Sequence, residues 1–370
     1  MAQELQWINS IGASPRNAVY QVIDGPYLPV KVVHDQYAEF VANPHFDGSP
    51  KPVYKKVLEE YYTSSASELL ALKKGTLDID QYVTSDTVPT VQKLAAYHLL
   101  QEPSWGYYYI QLNFRSNAAS VGGLFNQLYI RQALQLGIDQ PAIVKAVYNG
   151  SAVPTYGPVP YTPKNAFYNY AQKNRYSYNP AKGKALLVQH GWHLVNGVME
   201  RNGQQLAFPF LVQSGSSSTL FAEILQADWA KEGIKVSLVT QSIDTLYSVI
   251  GNPADSSKWA IAGGTLFGWL YIPDYEPSGD GLFNTGAGFN LGAYSNSTMD
   301  HLIALTEAPG TPQQSKRRFL QYEAFAAQNL PVLYVPTPTI PIAVSTSVKG
   351  FASSWNSIES GVRWNDLSPR

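Results

Sequence analysis

The sequence predicts an α/β fold. A helix that halts at a glycine and passes into a strand recurs along the chain, and such alternation is the pattern of layered α/β architectures. Of the 370 residues, 45% are hydrophobic and 13% aromatic, enough to build packed cores. No run of 18 or more apolar residues occurs, so no segment reads as a membrane-spanning helix. A length of 370 residues corresponds to two or three domains at about 150 residues each.

The elements follow in order. A helix near Ser67 runs through Leu69, Leu70 and Leu72 to Gly75, a glycine at the left-handed C′ position. A strand follows in which Leu77, Ile79 and Gln81 alternate with Asp78, Asp80 and Tyr82. In the strand over 107–114, Tyr108, Ile110, Leu112 and Phe114 share one face, and Tyr107, Tyr109, Gln111 and Asn113 the other. The first face is apolar and belongs in a core. The second carries hydrogen-bonding tips on large apolar bodies; it suits a cleft for a partly polar ligand and equally a solvated sheet face.

Asn179 and Pro180 form an N-cap and first-turn proline for a helix through Ala185, Leu186 and Leu187 that stops at Gly191. A helix over 219–232 stops at Gly233 and leads into a strand over 234–238. Thr311-Pro312-Gln313-Gln314 is a capping box for a helix that lines up Phe319, Tyr322 and Ala326 and ends near Leu330-Pro331. Two aromatic, proline-rich stretches, 153–178 and 273–296, exceed ordinary loop lengths.

Composition excludes several functions. With 26 basic and 27 acidic residues the net charge is −1, which argues against a nucleic-acid groove. The densest basic run, Lys316-Arg317-Arg318, reads as a solvated helix face. The absence of cysteine removes disulfides, zinc–thiolate sites, iron–sulfur clusters and cysteine nucleophiles. The chain has no P-loop, no G-x-G-x-x-G and no G-x-S-x-G; the serines over 214–218 read as a polar loop before a helix. His190 and His193 stand three apart, but Gly191 breaks the helix that would aim both at one metal. Asp274, Glu276 and Asp280 cluster beside Trp269, Tyr271 and Tyr275. Three readings stand for them: a glycosidase-like carboxylate pair, a solvated loop, or a counter-charge for an ammonium group.

Several motifs in order resemble the family 5 extracellular solute-binding proteins of ABC transporters, the oligopeptide, dipeptide and nickel-binding group. Gly25-Pro26-Tyr27 and Asn43-Pro44-His45-Phe46 are similar to its GPY strand and N-P-x-[YF] signature. Leu69 to Ile79 resembles its "G-x-lDi" region, and the run Ile130-Arg131-Gln132-Ala133-Leu134 to Asp139 its "vRqAl-x-x-aiDr" motif. Gly157-Pro158-Val159-Pro160, Tyr178-Asn179-Pro180-Ala181-Lys182, Gly268-Trp269 with Asp274 to Pro277, and Tyr294-Ser295-Asn296 with Asp300 continue the series.

The resemblance implies a bilobal, periplasmic-binding-protein-like type II α/β fold, with 1–114 as lobe I, 115–332 as the second large lobe and 333–370 returning to lobe I. It also implies that the N-terminal part of lobe I, the small second domain and the signal or lipoprotein anchor are missing. Lobe I strands would then show an exposed apolar edge, and the chain would aggregate or dimerise. The expected function is an extracellular or periplasmic receptor that captures short peptides between the lobes for a membrane ABC permease, without enzymatic activity or cofactor. An oligosaccharide ligand, and a glycosidase-like enzyme using Asp274 and Asp280, are the alternatives. A bare nickel ion is not expected without a histidine cluster.

The resemblance also assigns ligand roles. The Gly268-Trp269-Leu270-Tyr271 strand would give main-chain bonds to the peptide, with Trp269 and Tyr271 lining the cleft or packing beneath the following loop. Tyr107, Tyr109 and Asn113 would line it from the neighbouring strand. The acidic position that receives the α-ammonium falls on Ile272 counting from Trp269 and on Pro273 counting back from Pro277; a one-residue insertion gives the role to Asp274. Set beside export, the 14% of charged residues points to work in an acidic medium.

Overall fold

The computed structural model describes residues 24–265, 267–271 and 279–370. The described residues divide into two compact units, one formed by those up to 102 with 340–370, the other by those within 103–339.

In the first unit, β1 (Tyr27–Val33), β2 (Tyr37–Ala42) and β3 (Lys56–Glu60) form an antiparallel sheet. Helix α1 (Ser65–Lys74) starts where the Ser64 side chain accepts the Ser67 N–H, and ends at Gly75 with φ of 69°. The strand read over 77–82 contracts to β4 (Ile79–Asp80), because only these two residues pair with a neighbour. β5 (Tyr97–Glu102) completes this part of the chain. Two small cores hold the unit, one around Leu72, Val88, Val91 and Tyr97, the other around Ile342, Val344, Phe351 and Leu367. The β1–β3 sheet contributes to neither; Val30, Val32 and Leu58 stand exposed on it.

The second unit is built on β6 (Gly106–Leu112). Its helices α2 (Leu128–Leu136), α3 (Gln140–Tyr148) and α4 (Pro180–Gln189) precede a parallel crossover. In that crossover β7 (Ala207–Gln213) runs through α5 (Ser216–Lys231) into β8 (Lys235–Gln241), and Gly233, at φ of 83°, makes the turn. Parallel neighbours require such a connection, since a tight turn cannot reverse the chain twice. Then follow α6 (Ile243–Gly251), β9 (Ile261–Gly263), β10 (Gly268–Leu270), the turn of helix α7 (Asp280–Phe283), α8 (Ser297–Glu307), α9 (Pro312–Asn329) and β11 (Leu333–Val335). The Thr311–Gln314 capping box forms as read. The mixed sheet has the order β8-β7-β9-β6-β10, with β11 also on β6. β12 (Ile340–Ser345) returns to the first unit and pairs with β4 and β5.

The boundaries differ from those expected at 114 and 332. β6 pairs with β9, β10 and β11, all of the second unit, so both β6 and β11 belong there. Long-range pairing decides the membership of a strand, and local pattern does not reveal it.

The second unit's core surrounds Trp192, Trp229, Trp259, Phe210 and Phe221. Polar struts cross it. Arg131 Nε and Nη2 donate to the Asn329 carbonyl at 2.9 and 2.7 Å, fastening α2 to the end of α9. The Gln135 amide donates to the Tyr334 carbonyl and accepts its N–H, each at 2.8 Å, so it bonds β11 as a further strand would.

Two glutamates are buried at the helix packing. Glu232 lies between Gly137 and Gly183, where a Cβ on Gly183 would fall 2.4 Å from its carboxyl oxygen. Neither oxygen has a hydrogen-bond partner among the described residues. Burial first, and then the charge of Asp228, push its pKa up to about 9. Burial raises Glu323 to about 8 despite the bond that Oε2 accepts from the Asn169 N–H.

A carboxyl that keeps its proton in the folded state, but loses it on unfolding at about 4.5, stabilises the fold fully below that value. The contribution disappears as pH rises toward about 9. Thermal unfolding should therefore show a melting temperature that falls from pH 4 to pH 9, and Glu232→Gln should flatten the profile. At about 1.4 kcal/mol per pKa unit, the part removed is a few kcal/mol.

Candidate functional site

The site follows from how β6 spends its hydrogen bonds. The Tyr109 N–H donates to the Phe267 carbonyl at 3.0 Å, and the Tyr271 N–H to the Trp105 carbonyl at 3.2 Å. Trp269 faces Tyr107 between them. Bonded pairs alternate in an antiparallel ladder, so residues 267, 269 and 271 turn their main chain toward β6. The N–H and C=O groups of Gly268 and Leu270 therefore point the other way. Among the described residues no strand pairs with that outer edge.

Glycines bring the two strands together. A Cβ on Gly106 would lie 2.5 Å from the Trp269 carbonyl oxygen, and one on Gly268 would lie 2.7 Å from the Tyr108 ring. Between β9 and β10 the chain leaves the ladder, and Ser218 of α5 holds it there: its Oγ accepts the Thr265 N–H at 3.2 Å and bonds Thr265 Oγ1 at 2.9 Å. On the other edge of β6, Thr337 Oγ1 accepts the Tyr108 N–H at 3.2 Å.

Side chains along β10 differ in exposure. Leu270 is 84% exposed. Trp269 is half-buried; its ring meets Phe289 in a T-shaped pair at 5.5 Å and 74°. Gly281 lies under it, since a Cβ there would come within 3.0 Å of the indole. Phe289 itself is 61% exposed.

Other expected ligand residues sit elsewhere. Tyr107 is fully buried among Tyr109, Phe283 and Tyr334, and desolvation pushes its pKa well above the ordinary value. Tyr109 is buried against Phe267. Asn113 is buried with its amide donating to the Ser256 and Trp259 carbonyls at 2.9 and 3.0 Å. These three belong to the core rather than to a cleft wall or a solvated face: β6 is paired on both edges and covered on both faces. Tyr271 is also buried, packed on Trp105, on Phe167 of the 153–178 stretch and on Phe319 of α9, so its ring partners among the described residues do not come from the loop that follows it.

Asp274 and Glu276 lie outside the described residues. Asp280 is exposed at the start of α7. His190 stacks on Tyr129 at 3.8 Å while His193 stands on a short strand beyond Gly191. Among the described residues no three metal-ligating side chains converge. Sequence reading missed Phe289, Ser218, Thr265 and Thr337; a phenylalanine among glycines, at 286–292, was the available signal for the first.

Comparison with known proteins bears on this geometry. The family model described as bacterial extracellular solute-binding proteins, family 5 Middle, matches residues 7–286. A protein of Brucella ovis, named as a candidate ABC transporter peptide-binding protein, is 29% identical over 248 residues, 65% of this chain and 42% of its own length. Heme-binding protein A of Haemophilus influenzae is 26% identical over 353 residues, 89% of this chain and 57% of its own. Among solved structures, the oligopeptide-binding protein AppA of Bacillus subtilis, in complex with a nonapeptide, superposes with a TM-score of 0.67 at 20% identity, over 94% of this chain and 66% of that one. That likeness is one of fold, the α/β fold of periplasmic binding proteins. The chain thus spans about half the length of these two curated relatives. The family and these relatives are named for binding.

Asn113→Ala would take a buried side-chain donor from the Ser256 and Trp259 carbonyls, the second of which keeps the Ala119 N–H, and urea unfolding should show a loss of about 1–3 kcal/mol. Gly106→Ala, which drives a methyl into a main-chain oxygen, should cost about as much by the same measurement.

Proposed function

The chain belongs to the bacterial extracellular solute-binding proteins of family 5, and from that premise we propose that it is a peptide receptor of an ABC importer. It works outside the cytoplasm and hands its ligand to a membrane permease. The observation that carries the reading is the outward-facing main chain of Gly268 and Leu270 on an edge with no strand partner among the described residues. An extended peptide completes that ladder by adding as a strand. Main-chain bonds do not read side chains, so one edge accepts many sequences. Asp274, a few residues beyond the edge, is assigned the counter-charge for the peptide's α-ammonium, which sets the register of the bound chain.

Titration calorimetry with short peptides tests both parts. Free peptides should bind at least about tenfold more tightly than their N-acetylated forms, through loss of the charge-assisted bond. Equal affinity for the two forms removes the role of Asp274. Leu270→Pro deletes one outward N–H at an edge position where proline is tolerated. It should weaken every peptide by about threefold to tenfold, the worth of one main-chain bond; unchanged affinity would exclude strand addition at this edge.

A further inference from the structure

We infer that Trp269 and Phe289 give this receptor a side-chain preference, selecting a bulky apolar or aromatic residue at the one ligand position that lies opposite Trp269. The inference rests on the strand-addition reading above and names the class of ligand that this edge takes.

The geometry follows from the pleat. Gly268 and Leu270 bond the ligand, so the ligand residue between those bonds faces Trp269 across the ladder. Its side chain projects on the same side of the sheet as the Trp269 ring. This holds whether the ligand runs parallel or antiparallel, because the face of a paired residue follows that of its neighbour in both. In an antiparallel ladder this is also the non-bonded pair, in which opposed side chains approach most closely.

On that face the incoming side chain meets two rings. Trp269 presents its half-buried indole, and Phe289 stands edge to face with it at 5.5 Å, with 61% of its surface exposed. Gly281 keeps the corner open, since any side chain there would press into the indole. The Phe289 N–H donates to the Gly281 carbonyl at 3.1 Å, which fixes the Phe289 backbone beside Trp269. A third ring added to such a pair buries surface that is otherwise wet on Phe289 and gains an aromatic contact. On the opposite face β10 itself carries only Gly268, with the Tyr108 ring against it, and the exposed Leu270, so the paired rings of Trp269 and Phe289 have no counterpart on β10 there among the described residues.

The test uses the full chain and a set of alanine-based pentapeptides, each with a single phenylalanine at a successive position, titrated calorimetrically. One position should stand out, with phenylalanine binding about threefold to tenfold more tightly than alanine. Phe289→Ala should bring that ratio close to one, and Phe289→Tyr should restore it. Melting curves of both variants should match the parent, since the ring is largely exposed. If peptides bind but no position discriminates, or if Phe289→Ala keeps the ratio, the inference is overturned while strand addition stands. If no peptide of the set binds, the receptor reading is overturned with it.

Discussion

A strand has two hydrogen-bonding edges, and the second unit depends on how β6 divides its own. One edge serves β11, which Gln135 clamps from the side. The other is shared by β9 and β10, which are short pieces separated by a departure from the ladder that Ser218 and Thr265 hold. β9 continues outward into β7 and the parallel crossover, whereas β10 has no strand beyond it among the described residues. The open edge is thus a consequence of the interruption. A continuous strand over 261–270 would have offered β7 a longer partner and could have closed the sheet at this point.

The same unit places its polarity inside as struts rather than outside as charge. Arg131 ties α2 to α9, Asn113 ties β6 to the segment before β9, and Gln135 ties α2 to β11. Each donates to main-chain carbonyls inside the unit, where a single polar side chain counts most. Glu232 and Glu323 are different. They are buried at helix packing without a cation against them among the described residues, so they hold protons rather than charges. Carboxyls buried in neutral form favour the folded chain at low pH over high pH.

Much of this was legible locally. Gly75, Asn179 and Pro180, and the Thr311–Gln314 box bound their helices as read, because capping satisfies orphan main-chain groups within a few residues of sequence. The Gly268–Trp269 strand was legible too, from a family motif. The tyrosines of β6 were misread because period-two alternation tells which residues share a face, and nothing about whether that face is covered. Phe283, Phe267 and Tyr334, far apart in sequence, cover it.

By itself, the sequence determined the α/β class, several helix ends, the family resemblance and the absence of thiol chemistry. Only the tertiary structure decided that β6 belongs to the second unit, that Tyr107, Tyr109 and Asn113 are core, and that Phe289 stands against Trp269. The physical reason is range. Caps, turns and amphipathic periods are contests between neighbours in the chain. The pairing of a strand edge and the covering of a face are settled by groups more than a hundred residues apart, for which the sequence carries no local signal.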